Sequence, residues 1–224
     1  MSKTILITGA SRGIGYDLSL CFLEQGNKVI GTSRNGFLPN ISNRNLTAFR
    51  LDLSNIEDIK DLTNLLEKEN LKIDILVNNA GIGPDLGTVK PDLKTFKDTL
   101  DVNVIGTTFL TESLISFINE GGKIINISSK MGSINSCQLT DSVAYRMSKS
   151  ALNMYTKILT NRFQGSLNVA SVHPGWVRTN ISENSAKNGR LSPVESAKKI
   201  FDFIMSDFRN GIFWDVEAQN EVDW

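Results

Sequence analysis

Residues 4–15 read Thr4-Ile5-Leu6-Ile7-Thr8-Gly9-Ala10-Ser11-Arg12-Gly13-Ile14-Gly15. The apolar centre Ile5-Leu6-Ile7 suits a strand buried on both faces of a parallel sheet. A tight glycine turn follows, and then a helix with apolar positions at Leu18, Leu20, Cys21 and Leu23. Strand, glycine turn and helix start form the context a dinucleotide site needs. Gly9 allows the turn, Gly13 lets the backbone approach a pyrophosphate, and Gly15 lets the helix lie close to the strand. Free backbone N–H groups and the helix dipole would receive the anion. Gly9, Ser11, Arg12, Gly13, Ile14 and Gly15 are the cofactor-binding candidates of this loop.

The rest of the chain repeats the alternation. Strands are expected at Lys28–Thr32, Thr47–Leu51, Ile73–Val77, Lys123–Ile127, Leu167–Val172 and Gly211–Trp214. Helices are expected between them. Ser54 reads as the N-cap of a helix over Ile56–Glu69, and Ser192-Pro193 as the start of one over Val194–Asp207. A long amphipathic helix is expected over Phe96–Asn119, broken by Gly121-Gly122. The resulting fold class is α/β: one doubly wound parallel Rossmann sheet of about seven strands, helices on both faces, right-handed crossovers, and residues 1–224 as a single domain.

The second strand ends in Ser33-Arg34, where such folds usually carry an acid for a ribose 2′-OH. No Asp or Glu stands there. Arg34, with Ser33 and Arg12, would instead suit a 2′-phosphate. Asp52, followed by Leu53, either accepts from an adenine amino group or caps its own turn. Asn78-Asn79-Ala80-Gly81 closes the fourth strand with small and amide residues that fit the ligand crevice of such sheets.

Tyr145 and Lys149 lie four apart at the start of another helix. That spacing puts phenol and ammonium on one face. A nearby cation favours the ionised phenol and so lowers its pKa from about 10, readying it to exchange a proton with a carbonyl or alcohol oxygen.

Composition narrows the classes. The chain has 224 residues, 40% hydrophobic and 21% charged, with 24 basic against 24 acidic residues. This balance gives no general pull toward nucleic acid or an anionic membrane. No apolar run approaches the roughly 20 residues of a membrane span. The N-terminus shows no signal or transit layout, and Cys21 and Cys137 suggest neither a metal nor a disulfide framework, so a cytoplasmic location is expected. His173 reads as a satisfied, partly buried histidine, Cys21 as core, and Cys137 as a loop thiol near a substrate mouth. The polar segment Val177–Leu191 reads as a mobile lid.

Thr8-Gly9-x-x-x-Gly13-x-Gly15, Asn78-Asn79-Ala80-Gly81, Asn103, Ile127-Ser128-Ser129, Tyr145-x-x-x-Lys149 and Pro174-Gly175 occur in this order. Together they resemble the short-chain dehydrogenase/reductase family over nearly the whole chain. Residues 145–153 and 173–179, with the terminal pattern from Gly211 to Trp224, are similar to its C-factor-like and sniffer-like carbonyl reductases. The resemblance implies hydride transfer between NADP(H), in preference to NAD(H), and a small carbonyl or alcohol substrate. It implies Tyr145 as proton donor, Ser129 holding the carbonyl oxygen, and Lys149 on the nicotinamide ribose while depressing the Tyr145 pKa. Asn103 would bind a water linking Lys149 to a proton relay. Asn79, Ala80 and Gly81 would line the cofactor, and Pro174, Gly175, Val177 and Thr179 would meet its nicotinamide end. Ser129 stands about 16 residues before Tyr145 rather than the usual 13 or so, which leaves Ser133 as its alternative. The resemblance also implies a homodimer through the helices Phe96–Asn119 and Val143–Phe163, with a tetramer as a larger assembly. A nucleotide-binding signalling or regulatory protein on the same fold is the alternative to an enzyme.

Overall fold

A computed structural model describes residues 2–224. Its centre is one eight-stranded sheet: β1 (Thr4–Ile7), β2 (Lys28–Ser33), β3 (Leu46–Arg50), β4 (Ile73–Asn78), β5 (Ile118–Ile127), β6 (Asn168–His173), β7 (Ile212–Asp215) and β8 (Asn220–Glu221). The spatial order is β3-β2-β1-β4-β5-β6-β7-β8. The first seven strands are parallel, and β8 is antiparallel to β7. Expectation had seven parallel strands. The eighth is two residues long, too short to leave a period in the sequence.

Alternation along each strand divides the core. Ile5, Ile7, Ile75, Val77, Ile125, Ile127, Ala170 and Val172 face one layer of helices, α1 (Gly13–Glu24) and α7 (Pro193–Met205). Leu6, Ile30, Leu76, Ile124 and Val169 face the other, formed by α2 (Ile56–Lys68), α4 (Thr107–Leu114) and α5 (Val143–Arg162). Both faces are covered, as an all-parallel region requires. Truncating a residue such as Leu6, which is 0% exposed, would cost about 2–5 kcal/mol.

Three local expectations are corrected. Asn55, not Ser54, caps α2, because its side chain accepts from the Glu57 N–H while Ser54 turns back to Asp52. The single helix over Phe96–Asn119 is instead α3 (Leu93–Leu100), a π-helical turn over Asp101–Gly106, α4 and a 3-10 turn at Ile115–Phe117. Gly121-Gly122 lie inside β5, whose pairing with β4 slips between Ile73 and Ile75 to absorb extra residues. The short helix α6 (Glu183–Asn188) lies within the expected lid.

The strand order reverses around β1 and β4: β1 leads outward to β2 and β3, then the chain returns to place β4 on the other side. The crevice at such a switch point is where open α/β sheets bind ligands. Here it opens between Thr8-Gly9 and Asn78–Gly81.

Candidate active site

The glycine turn is held from across the crevice. Thr8 Oγ1 accepts from the N–H groups of Asn79 and Ala80 at 3.0 and 2.9 Å. Asn79 Nδ2 donates to the carbonyls of Thr8 and Gly9 at 2.8 and 3.2 Å. Gly9 has φ +67, with Ala80 Cα 3.0 Å from where a Cβ would sit. At Gly15 a Cβ would stand 2.4 Å from Asn79 Nδ2 and 2.5 Å from the Gly9 carbonyl, so the close helix approach expected there is real. Gly13 differs: with φ +58, its missing Cβ would meet only Thr179 Cγ2, at 3.5 Å. The turn therefore faces the loop after β6, with Thr179 at ordinary contact distance. Ser11 and Ile14 are partly buried beside it, and Arg12 projects into solvent.

At the end of β2 the expected trio separates. Arg34 is exposed like Arg12, and neither forms an ion pair among the described residues. Ser33 is buried, and its hydroxyl donates to the Phe37 carbonyl while accepting from the Phe37 N–H. Its only proton is spent, so Ser33 shapes the turn that presents Arg34 and does not itself offer a donor to a phosphate. Asp52 Oδ1 accepts from both the N–H and the hydroxyl of Ser54. Burial works to raise the Asp52 carboxyl, but these bonds and the charges of Arg34 and Arg50 bring it below the ordinary range. Of the two roles considered for Asp52, the structure displays the turn cap. Leu53 is buried, and its carbonyl would lie 2.0 Å from any Cβ at Gly106, which fixes β3's exit against the π-helical turn.

Tyr145 and Lys149 share the buried first turns of α5. Lys149 Nζ lies 5.6 Å from the centroid of the Tyr145 ring and donates to the Ile127 carbonyl at 2.9 Å. Two of its three N–H donors have no protein acceptor among the described residues. Ser129 Oγ accepts from the Met131 N–H at 3.1 Å, and its hydroxyl is near enough to the Tyr145 phenol to work against the rise of its pKa. Ser133 Oγ likewise accepts within its own loop, from the Ser136 N–H, and of the two serines it is Ser129 that acts on the Tyr145 phenol. Gly81 permits the convergence: a Cβ there would be 3.2 Å from Asn103 Oδ1 and 3.5 Å from Lys149 Nζ.

Burial dominates the electrostatics. It pushes the Tyr145 phenol up to about 12, with the nearby Ser129 hydroxyl working against the rise and Asp85 adding to it. It brings the Lys149 ammonium down to about 8. The expectation that Lys149 depresses the Tyr145 pKa is therefore not met in the protein alone. Desolvation of the phenolate sets the direction of the shift. Asn103 is held by three side-chain hydrogen bonds. It is buried in the π-helical turn, its Oδ1 accepts from the Ile82 N–H, and its Nδ2 donates to the Ile82 carbonyl and Ser148 Oγ. Both amide hydrogens are used, so the side chain braces the site.

Below the site a buried polar chain fastens helices to sheet. Asn78 Nδ2 donates to Asn126 Oδ1 and Thr111 Oγ1, Asn126 Nδ2 donates to Thr156 Oγ1, and the Thr156 and Ser171 hydroxyls share a bond of 2.8 Å. Ser128 Oγ reaches Asn153 Oδ1 at 2.6 Å, and Asn153 and Ser150 both donate to the Gly132 carbonyl. None of these cross-links was foreseen except Asn78 itself. They join residues far apart in sequence that pattern alone does not connect.

The loop after β6 has clamped feet. Pro174's carbonyl accepts from Ser196 Oγ, Gly175 has φ +83, and buried Val177 pairs with Leu191. Arg178 donates to the carbonyls of Gly189 and Arg190, while Arg190 covers the Trp176 ring and pairs with Glu217. The expected lid is thus an arch with both ends fastened. His173 is partly buried as expected but not satisfied: Nδ1 has no partner, and burial holds the imidazole down at about 4. Between the arch and the loop after β4 lies a cleft of about 540 Å³, with Gly83, Pro84 and Leu86 facing Ser182, Asn184 and Lys187. Gly83 lies against the Tyr145 ring, 3.0 Å from where its Cβ would be. Asp85, in this loop, was missed in the sequence. Among the described residues no helix is long and apolar enough to cross a membrane, and no metal-binding cluster occurs.

The sequence matches the short chain dehydrogenase family over residues 3–189. An uncharacterized short-chain type dehydrogenase/reductase of Sinorhizobium fredii is 31% identical over 196 residues, 84% of this chain; the chain spans 35% of that relative's length. A short-chain dehydrogenase/reductase structure from Burkholderia multivorans with bound NADP is 30% identical, covers 100% of both chains and superposes with a TM-score of 0.86. The carbonyl reductase Sniffer of Drosophila melanogaster is 27% identical, with 100% of both chains covered and a TM-score of 0.86.

Proposed function

The chain belongs to the short chain dehydrogenase family, and from that premise we propose that it is an NADPH-dependent reductase of small carbonyl compounds. The observation that carries the reading is the buried trio: Ser129 beside the Tyr145 phenol, with Lys149 Nζ 5.6 Å from the centroid of the same ring. The relatives named for carbonyl reduction and for bound NADP support it.

The groove fits the cofactor. Gly13 presents no side chain to it, α1 would aim its N-terminus there, and Arg12 and Arg34 stand uncommitted for the 2′-phosphate end. Ser11 and Ile14 of the turn, Asn79–Gly81, and Pro174–Thr179 would hold the remainder, with two Lys149 donors for ribose hydroxyls. When bound, NADPH supplies the hydride for the carbonyl carbon. Ser129 Oγ holds the carbonyl oxygen beside Tyr145. The Tyr145 O–H bond breaks as its proton passes to that oxygen, which receives the carbonyl's π electrons. Lys149 stabilises the phenolate left behind, and solvent returns the proton. At neutral pH the raised phenol is fully protonated, the form a donor needs.

The protein is also proposed to be a homodimer acting in the cytoplasm. Ile105 and Phe109 on one helical run and Met147, Met154 and Ile158 on α5 leave large apolar side chains in solvent, Phe109 at 54% and Met154 at 63% exposed. Glu112 joins the two helices, accepting from Tyr155 Oη and from Arg162, so these side chains form one rigid face. A second copy meeting it by a two-fold axis would cover the patch. Sedimentation is expected to show a dimer; a monomer at all accessible concentrations refutes this part. The reaction is tested by NADPH oxidation across a panel of aldehydes and ketones, where consumption dependent on both protein and carbonyl is expected.

A further inference from the structure

Helix α5 begins without a local cap. Its N-cap residue, Ser142, has left-handed φ 58 and makes no side-chain bond to the helix. The cap comes from 59 residues upstream. Asp85 Oδ2 accepts from the Ala144 N–H at 2.7 Å, and its two oxygens receive the Tyr145 N–H at 3.2 and 3.3 Å. Asp85 is 3% exposed, and no lysine or arginine pairs with it among the described residues. Its charge is met by backbone N–H groups and the helix dipole. Ser142 in turn serves the other side: its Oγ accepts from the Gly87 N–H, and its N–H donates to the Thr88 carbonyl. The loop that lines the cleft with Gly83, Pro84 and Leu86 is therefore stapled to the helix that carries Tyr145.

We propose that Asp85 is a positioning residue for the reduction, a remote cap that fixes the cleft-lining loop and the Tyr145 hydroxyl in one rigid register. The proposal rests on the reading of Tyr145 as proton donor. A local Ser, Thr or Asp cap would hold the helix equally well but would leave the loop free to drift from the phenol. The Asp85 carboxylate also opposes a tyrosinate. Three groups face Tyr145: Asp85 from the loop after β4, Ser129 from the loop after β5, and Lys149 from its own helix. Of these, only Asp85 favours retention of the proton through its charge.

The experiment compares the wild type with Asp85→Asn, Asp85→Ala and Ser142→Ala. Asparagine keeps one acceptor and removes the charge, so the alkaline limb of kcat/KM is expected to move down by roughly one pH unit. The alanine variant should exchange its Ala144 and Tyr145 amides faster and lose kcat by roughly tenfold or more, with KM for NADPH changed much less. Ser142→Ala loosens the loop without altering charge and should leave the limb in place. Where Asp85→Ala does not fold, the asparagine variant carries the test. Ultraviolet titration of tyrosinate, read as the difference between each protein and its Tyr145→Phe partner, reports the same shift without turnover. It therefore separates failure of this proposal from failure of the carbonyl-reductase reading. An unmoved limb and titration in Asp85→Asn, or an equal shift in Ser142→Ala, overturns the proposal.

Discussion

Replacing Arg34 with Ala is expected to erode the preference for NADPH by about tenfold while leaving NADH affinity nearly unchanged. The magnitude follows from the exposure of the site. A charge-assisted hydrogen bond contributes about 1.5–3 kcal/mol, and exposed ion pairs fall to about 0.2–1 kcal/mol. Arg34 stands in solvent but offers a planar fork to a phosphate dianion, so about 1.4 kcal/mol, one power of ten, is the reasonable middle. Arg12 is exposed and unpaired on the facing turn, so the double variant should lose about a hundredfold if the two act independently. Arg34→Asp should go further, adding repulsion against the phosphate and an acceptor for the 2′-OH. Ser33 is the wrong place for that acid, because its hydroxyl closes the turn on Phe37. The assay is calorimetric titration of both oxidised cofactors at two ionic strengths, and the discrimination should shrink with salt. Equal weakening of both cofactors by Arg34→Ala, or no weakening of either, refutes the assignment.

Lys149 should make stability depend on pH in a definite direction. Its folded pKa of about 8 lies below the ordinary 10.5. The unfolded chain therefore binds more protons between those values, and stability contributed there rises with pH, by up to about 3 kcal/mol relative to Lys149→Met. Urea unfolding of both proteins at pH 7 and pH 10 reads the difference, and parallel curves would contradict it. His173, held neutral down to about 4, should likewise cost stability as pH falls from 6.5 toward 4, because the unfolded chain takes up the proton first. His173→Phe removes the unpartnered Nδ1 and should flatten that slope in acid-unfolding curves. Gly15→Ala should destabilise by about 2–3 kcal/mol through its clash with the Gly9 carbonyl, whereas Gly13→Ala meets only backbone strain of about 1–2 kcal/mol; thermal unfolding ranks them, and the reverse order would refute the packing argument.

What the sequence made legible was local. The strand–turn–helix at Thr4–Leu23 and the Tyr145–Lys149 spacing lie within one or two elements, where period and turn chemistry act. The division of the core followed from the same alternation. The misses are long-range or depend on burial. Residues 96–119 kept an apolar helical rhythm through the π-helical turn, because one extra residue per turn hardly disturbs the pattern over so short a span. Asp85 is invisible to capping rules that look within a few residues of a helix start. The i,i+4 spacing placed an ammonium beside Tyr145 correctly, but not the depth of the phenol. That depth is set by loops at residues 83 and 129, and it reversed the expected direction of the shift. Ser33 was read by residue type alone, and its hydroxyl was already committed to a turn.

The central claim is that the Tyr145 hydroxyl delivers the proton during carbonyl reduction. Tyr145→Phe removes one oxygen from a side chain that is otherwise packed, so folding and NADPH binding should persist. Losing an acid catalyst costs about 10²–10⁴ in rate. Single-turnover reduction of the best carbonyl in the panel, with NADPH preloaded, measures that step directly. The account predicts tight NADPH binding and a rate lowered by at least about a hundredfold. A phenylalanine variant that binds NADPH and reduces the carbonyl at the wild-type rate would contradict it.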